Sequence, residues 1–171
     1  FNIVENAIFV DMINLNYFLI FALGNLGEYI NEWFFLFFIS LFFSILFLQS
    51  GIDKIISFSA NLNYFKDHFK KNFFSKQVKL LLILITLLEC ITGALFVLVL
   101  FMLINVGPDS GFIVLGLDYY FVAIWFTLIT LCSLFLGQRL ANDYIGAVNL
   151  GIYFLIALIG LSFPVLYLQL S

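Results

Sequence analysis

Charge is scarce in this sequence. Only 10% of its 171 residues are Asp, Glu, Lys or Arg, against about 25% in an ordinary soluble domain, so polar side chains are too few to cover a water-soluble globule. Histidine is nearly missing: His68 stands alone, which excludes haem b held between two histidines of this chain. The two cysteines, Cys90 and Cys132, do not form a C-x-x-C pair, so the usual dithiol redox motif is excluded. With seven basic residues and a net charge of −3, no nucleic-acid partner is expected. A phosphate-binding glycine loop, a metal-ligand cluster and a nucleophile–base arrangement are also missing, so no metal site is expected. What the chain has in abundance is apolar and aromatic surface, 64% and 20% of its residues with 24 phenylalanines. That composition excludes disorder and leaves an integral membrane protein.

A membrane-crossing helix needs roughly 20 apolar residues. Four stretches meet this requirement, at about 31–56, 78–104, 117–138 and 143–169, and together they make a four-span membrane domain over 31–171. Residues 1–30 precede it. Their apolar stretch, Ala7 to Leu23, carries Asp11, Asn14 and Asn16 in its middle, and an Asp at mid-bilayer costs about 2.5–3.5 kcal/mol. This segment is therefore read as an additional N-terminal interfacial or peripheral helix rather than a fifth span. No basic run precedes an apolar core, so a signal peptide is not expected in the residues given, and Phe1 in place of Met leads us to expect further residues upstream. The fold class is all-α: a four-transmembrane-helix bundle with one extra helix.

The few basic residues orient it. Lys54 ends the first span, Lys66, Lys70, Lys71, Lys76 and Lys79 occupy the 57–79 loop, and Arg139 lies between the last two spans. The N-terminal segment and the 105–118 connection have none. The positive-inside rule then places the 57–79 loop in the cytoplasm and both termini in the periplasm of a bacterial inner membrane. The lysines either set topology and attract anionic lipid headgroups or dock an acidic soluble partner.

Ionisable groups at bilayer depth must be offset by partners or by function. Glu89 lies about 14 Å into the second span. It cannot face lipid as a carboxylate, so it is either protonated or turned into the bundle. The candidate buried polar site is Glu89 with Gln49, Thr86, Thr130 and Asn149. Asp53, Lys54, Arg139 and Asp143 form a candidate ionic cluster at the inner boundary. Gly51, Gly93 and Gly146 are expected to let helices approach closely. These polar groups either satisfy one another and fix helix register, or they line a pocket open to the cytoplasm or inner leaflet with Glu89 as its acid. Cys90 and Cys132 both fall within spans, where a buried thiol is inert filler.

The first span ends in Phe47-Leu48-Gln49-Ser50-Gly51-Ile52-Asp53-Lys54, an F-x-x-S-G-x-x-K run. The second carries Glu89-x-x-x-Gly93. The last connection reads Gly137-Gln138-Arg139-Leu140-Ala141-Asn142-Asp143-Tyr144-Ile145-Gly146-Ala147. In order and placement these motifs resemble the DoxX family of small four-helix membrane proteins, over roughly residues 33 to 165. The resemblance implies importance for Gly51, Lys54, Glu89, Gly93, Arg139 and Asp143 without making any of them catalytic. It also implies a non-catalytic subunit or assembly factor of a larger, redox-associated membrane complex, with membrane lipids and other membrane subunits as partners and no activity of the chain alone. The alternative it implies is the membrane subunit of a thiosulfate or other sulfur-compound:quinone oxidoreductase, with the buried acid at a quinone or proton site. No covalently held cofactor is expected; a quinone or a lipid could occupy the pocket.

Overall fold

The computed structural model describes residues 32–69, 76–107 and 116–170; the expected N-terminal helix within 1–30 lies outside them. Five helices account for the described chain: α1 (Glu32–Ile56), α2 (Phe58–His68), α3 (Val78–Val106), α4 (Leu117–Leu140) and α5 (Tyr144–Leu170). The described residues contain no strand. α1, α3, α4 and α5 are long and apolar enough to cross a membrane, and their ends lie within two residues of the spans expected from sequence. At 1.5 Å per residue, the 25 residues of α1 extend about 37 Å, more than the roughly 30 Å hydrocarbon core. The protein is a multi-pass, all-α membrane protein whose outer faces contact lipid.

Cross-helix contacts fix the arrangement. Trp33 Nε1 of α1 donates to the Leu103 carbonyl of α3 at 3.1 Å, while Gly51 at the other end of α1 meets Cys90 of α3, so these helices run antiparallel. Thr92 on α3 meets Thr130 on α4. Tyr120 Oη on α4 donates to the Gly160 carbonyl on α5 at 2.9 Å. Phe35 stacks on Phe163 with ring centroids 4.1 Å apart, closing α5 against α1. The result is an up-down-up-down bundle in the order α1, α3, α4, α5, with neighbours antiparallel throughout.

Lipid is as apolar as leucine, so transfer from water contributes little to this packing; close van der Waals fit and interhelical hydrogen bonds hold it instead. The centre is aromatic. Phe43, Phe47, Phe96 and Tyr120 are fully buried, with Phe43 stacked on Phe96 at 5.4 Å and Phe96 edge-on to Tyr120 at 6.3 Å.

Two local features decide where polar groups fall. The 57–79 segment, read from sequence as a loop, contains α2, whose half-buried Phe58, Leu62 and Phe65 lie at i, i+4 and i+7 with Lys66 and Asp67 exposed. Between α4 and α5, Asn142 takes the left-handed conformation, φ 61°, which Asn tolerates better than most residues. Its N–H reaches the Arg139 carbonyl at 3.2 Å, and the Asp143 N–H reaches Gln138 at 2.9 Å. This pair of hydrogen bonds back into the helix is a Schellman termination. Asp143 then opens the next helix, its Oδ1 accepting the Gly146 N–H at 2.9 Å as an N-cap does. Three residues, Ala141 to Asp143, stop one span and start another.

Candidate functional site

The site grows from a contact between two glycines. A Cβ on Gly93 would sit 2.7 Å from Leu48 Cγ and 2.9 Å from the Leu48 backbone N, and one on Gly51 would sit 2.7 Å from Cys90 Sγ. Only hydrogen at both positions lets α1 and α3 come this close, as small residues do at membrane helix crossings. Cys90 packs into the crossing, consistent with a filler role.

The crossing brings Glu89 of α3 beside the last turns of α1. Lys54 Nζ donates to Glu89 Oε1 at 2.9 Å and stands 2.9 Å from Oε2. It also donates to Ser50 Oγ at 2.7 Å and weakly to the Ser50 carbonyl at 3.4 Å. Ser50 Oγ in turn donates to Glu89 Oε1 at 2.9 Å. Three residues thus close a ring of charge-assisted hydrogen bonds, which are stronger than neutral ones. The Glu89 side chain is 1% exposed and that of Lys54 15%, so the pair is shielded from the solvent that weakens surface ion pairs. The ammonium has reached up from the membrane boundary along its apolar stem.

Part of the predicted polar site is dispersed. Glu89, Thr86 and Thr130 are buried, but Thr86 Oγ1 is taken up by its own helix, donating to the Leu82 carbonyl at 2.7 Å. Thr130 Oγ1 meets Thr92 Oγ1 at 3.1 Å and so joins α3 to α4. Gln49 and Asn149 do not enter the site: both are exposed on the outside of the bundle. Gln49 sits between Leu48, which packs on Gly93, and Ser50, which faces Glu89, and the helical rotation of about 100° per residue turns it away.

The predicted boundary cluster also separates. Lys54 leaves it for Glu89, and Asp53 is exposed. Arg139 and Asp143, four residues apart, do not share a helix face, because the helix ends between them; the Arg139 guanidinium lies 4.6 Å from the Tyr144 ring centroid in cation–π range. Asp143 is a cap. Gly146 serves that cap rather than helix packing, since a Cβ there would lie 2.6 Å from Asp143 Oδ2 and 2.9 Å from Gln138 Nε2. Gly51 and Gly93 pack as expected. Sequence reasoning missed Ser50 and Thr92 as site residues. The signal existed: Ser50 is four residues before Lys54 and Thr92 three after Glu89, both spacings that share a helix face.

Beside the ring lies a cavity of about 410 Å³. Lys54 forms part of its wall, which otherwise comes from α2, the start of α3 and the end of α4, and is mostly apolar. Among the described residues no three His, Cys, Asp or Glu side chains converge as metal ligands would. Compared with protein-family models, curated proteins and solved structures, the chain gives no match.

Proposed function

We propose that this chain is a DoxX-like protein of the bacterial inner membrane, acting as a non-catalytic subunit or assembly factor of a larger, redox-associated membrane complex. Its lysine-rich 57–79 segment faces the cytoplasm and its termini face the periplasm. The observation that carries the reading is that the residues behind the family resemblance spend their chemistry within the chain. Gly51 and Gly93 join two helices, Lys54 and Ser50 both bond to Glu89 Oε1, and Asp143 caps a helix. Such groups build a scaffold.

Gln49 and Asn149 support the same reading. By the antiparallel register of α1 and α5 they lie at similar depth on adjacent helices, about 10 and 8 Å from the lysine-rich helix ends. Both amides are exposed where lipid offers no hydrogen-bond partner, and a neighbouring transmembrane helix does. Extraction of the native protein in mild detergent should yield a complex of fixed stoichiometry, and the double variant Gln49→Leu/Asn149→Leu should release the partner at unchanged melting temperature. A monodisperse, partner-free protein from native membranes refutes the proposal.

One observation favours the oxidoreductase reading: Lys54, which holds Glu89, also lines an apolar cavity able to take a quinone. Quinone reduction by a sulfur compound, assayed in membranes, decides it. Full activity in Glu89→Gln removes Glu89 from that mechanism, and inactivity of the parent protein removes the reading itself.

A further inference from the structure

The cavity beneath α2 has no part in the scaffold role. Its volume, about 410 Å³, falls within the roughly 300–1,000 Å³ of small-molecule sites. Phe65 of α2 and Phe69 just after it cover the cavity, with Val78 and Leu82 from the start of α3 and Leu134 and Gly137 from the end of α4. Phe69, Val78 and Leu82 are themselves buried, so these walls are held in place by the bundle. Lys54 contributes little free hydrogen-bonding capacity, because its ammonium protons are directed at Glu89 and Ser50. The interior therefore suits hydrocarbon.

The surroundings suit an anion. Among the described residues the five Lys and Arg, Lys54, Lys66, Lys76, Lys79 and Arg139, all lie at this end with Asp53, Asp67, Glu89 and Asp143, whereas Glu32 and Asp118 lie at the other end. Lys66, Lys79 and Arg139 are exposed here, and basic residues at a membrane boundary attract anionic headgroups. The amphipathic α2 keeps Phe58, Leu62 and Phe65 half-buried and leaves Lys66 and Asp67 exposed, as helices lying at a bilayer interface do. The hydrocarbon slot thus lies at the basic end of the bundle, with Lys66, Lys79 and Arg139 exposed next in sequence to its lining residues Phe65, Val78 and Gln138.

We propose that this cavity is a binding site for an anionic membrane lipid, one acyl chain lying between α2, α3 and α4 and the headgroup resting among Lys66, Lys79 and Arg139. The inference is independent of the subunit role. Its test uses the full chain, delipidated in detergent and supplied with dioleoyl phosphatidylglycerol, dioleoyl phosphatidylcholine or ubiquinone, with retained molecules counted by native mass spectrometry. One phosphatidylglycerol per chain is expected, preferred over phosphatidylcholine by about tenfold. Gly137→Trp is the plug: Gly137 lines the cavity, and a Cβ added there meets nothing within 4 Å, so the new side chain starts in open space. It should abolish retention at unchanged melting temperature. The exposed-charge variant Lys66→Gln/Lys79→Gln/Arg139→Gln should erase the preference while leaving the fold intact. Undiminished lipid in a folded Gly137→Trp protein overturns the proposal. So does equal retention of phosphatidylcholine by the parent, an unchanged preference in the triple variant, or ubiquinone held in place of phosphatidylglycerol.

Discussion

Replacing Lys54 with methionine keeps the apolar stem and deletes the charge, and its cost follows from the geometry around Glu89. The ammonium stands 2.9 Å from both carboxylate oxygens. With an effective dielectric near 20, two unit charges at that distance attract by about 6 kcal/mol, much of it offset by the desolvation of both ions. The loss on substitution is set by what stays behind. Glu89 is 1% exposed, so Lys54→Met leaves a buried carboxylate held on α1 by the Ser50 hydroxyl, a change that costs about 3–5 kcal/mol. Glu89→Gln should cost less, about 1–3 kcal/mol, because Lys54 retains Ser50 and some exposure. If the ring is one unit, the double variant Lys54→Met/Glu89→Gln should be more stable than Lys54→Met alone, with a coupling energy of about 2–3 kcal/mol. Reversible unfolding in mixed micelles, followed by steric trapping or circular dichroism, measures all four corners of the cycle. Additivity within about 0.5 kcal/mol, or a Lys54→Met protein as stable as its parent, would refute the ring as a structural lock.

Gly93→Leu should drive α1 from α3, since even a Cβ lies 2.9 Å from the Leu48 backbone N; a loss of about 1–3 kcal/mol from overpacking is expected in the same unfolding assay. Asn142→Val should cost about 1–2 kcal/mol for a β-branched residue at φ 61°, while Asn142→Gly is tolerated; comparable melting temperatures for the two refute the turn assignment. Asp143→Ala removes the cap on Gly146 and should lower stability by about 0.5–2 kcal/mol. An impermeant maleimide should label Asn105→Cys in intact cells and Lys76→Cys only after lysis, above the background of Cys90 and Cys132; the reverse pattern inverts the orientation.

The spans were legible because 20-residue apolar runs leave little freedom about what they become. Helix α2 was not, because its residues mix Asn, Lys and Asp with aromatics, and only docking on the bundle selects the helix. Glu89 stood out by its depth. Its partner did not, since Lys54 sits at a span end in sequence and its long side chain supplies the reach. Gln49 and Asn149 were drawn into the site on their polarity alone, but the direction of a side chain depends on the register between helices, and here the Gly51–Gly93 crossing sets that register. Asp143 resembled half of an ion pair with Arg139 because i, i+4 spacing presumes an unbroken helix, and the left-handed Asn142 breaks it.

The separation of Lys54 and Glu89 along the chain, 35 residues, bears on how the protein is made. During synthesis Lys54 emerges first, and at about 5–20 residues per second its counter-charge follows some seconds later. Through that interval the lower end of α1 carries an unmatched cation, which holds it at the aqueous boundary and resists deeper passage. Glu89 meets the converse problem, since a lone acid opposes entry of its own segment until the earlier helix is in place to receive it. Each helix therefore supplies what the other needs to settle in the bilayer. The ring of Ser50, Lys54 and Glu89 can close only where α1 and α3 lie in opposite directions and in register.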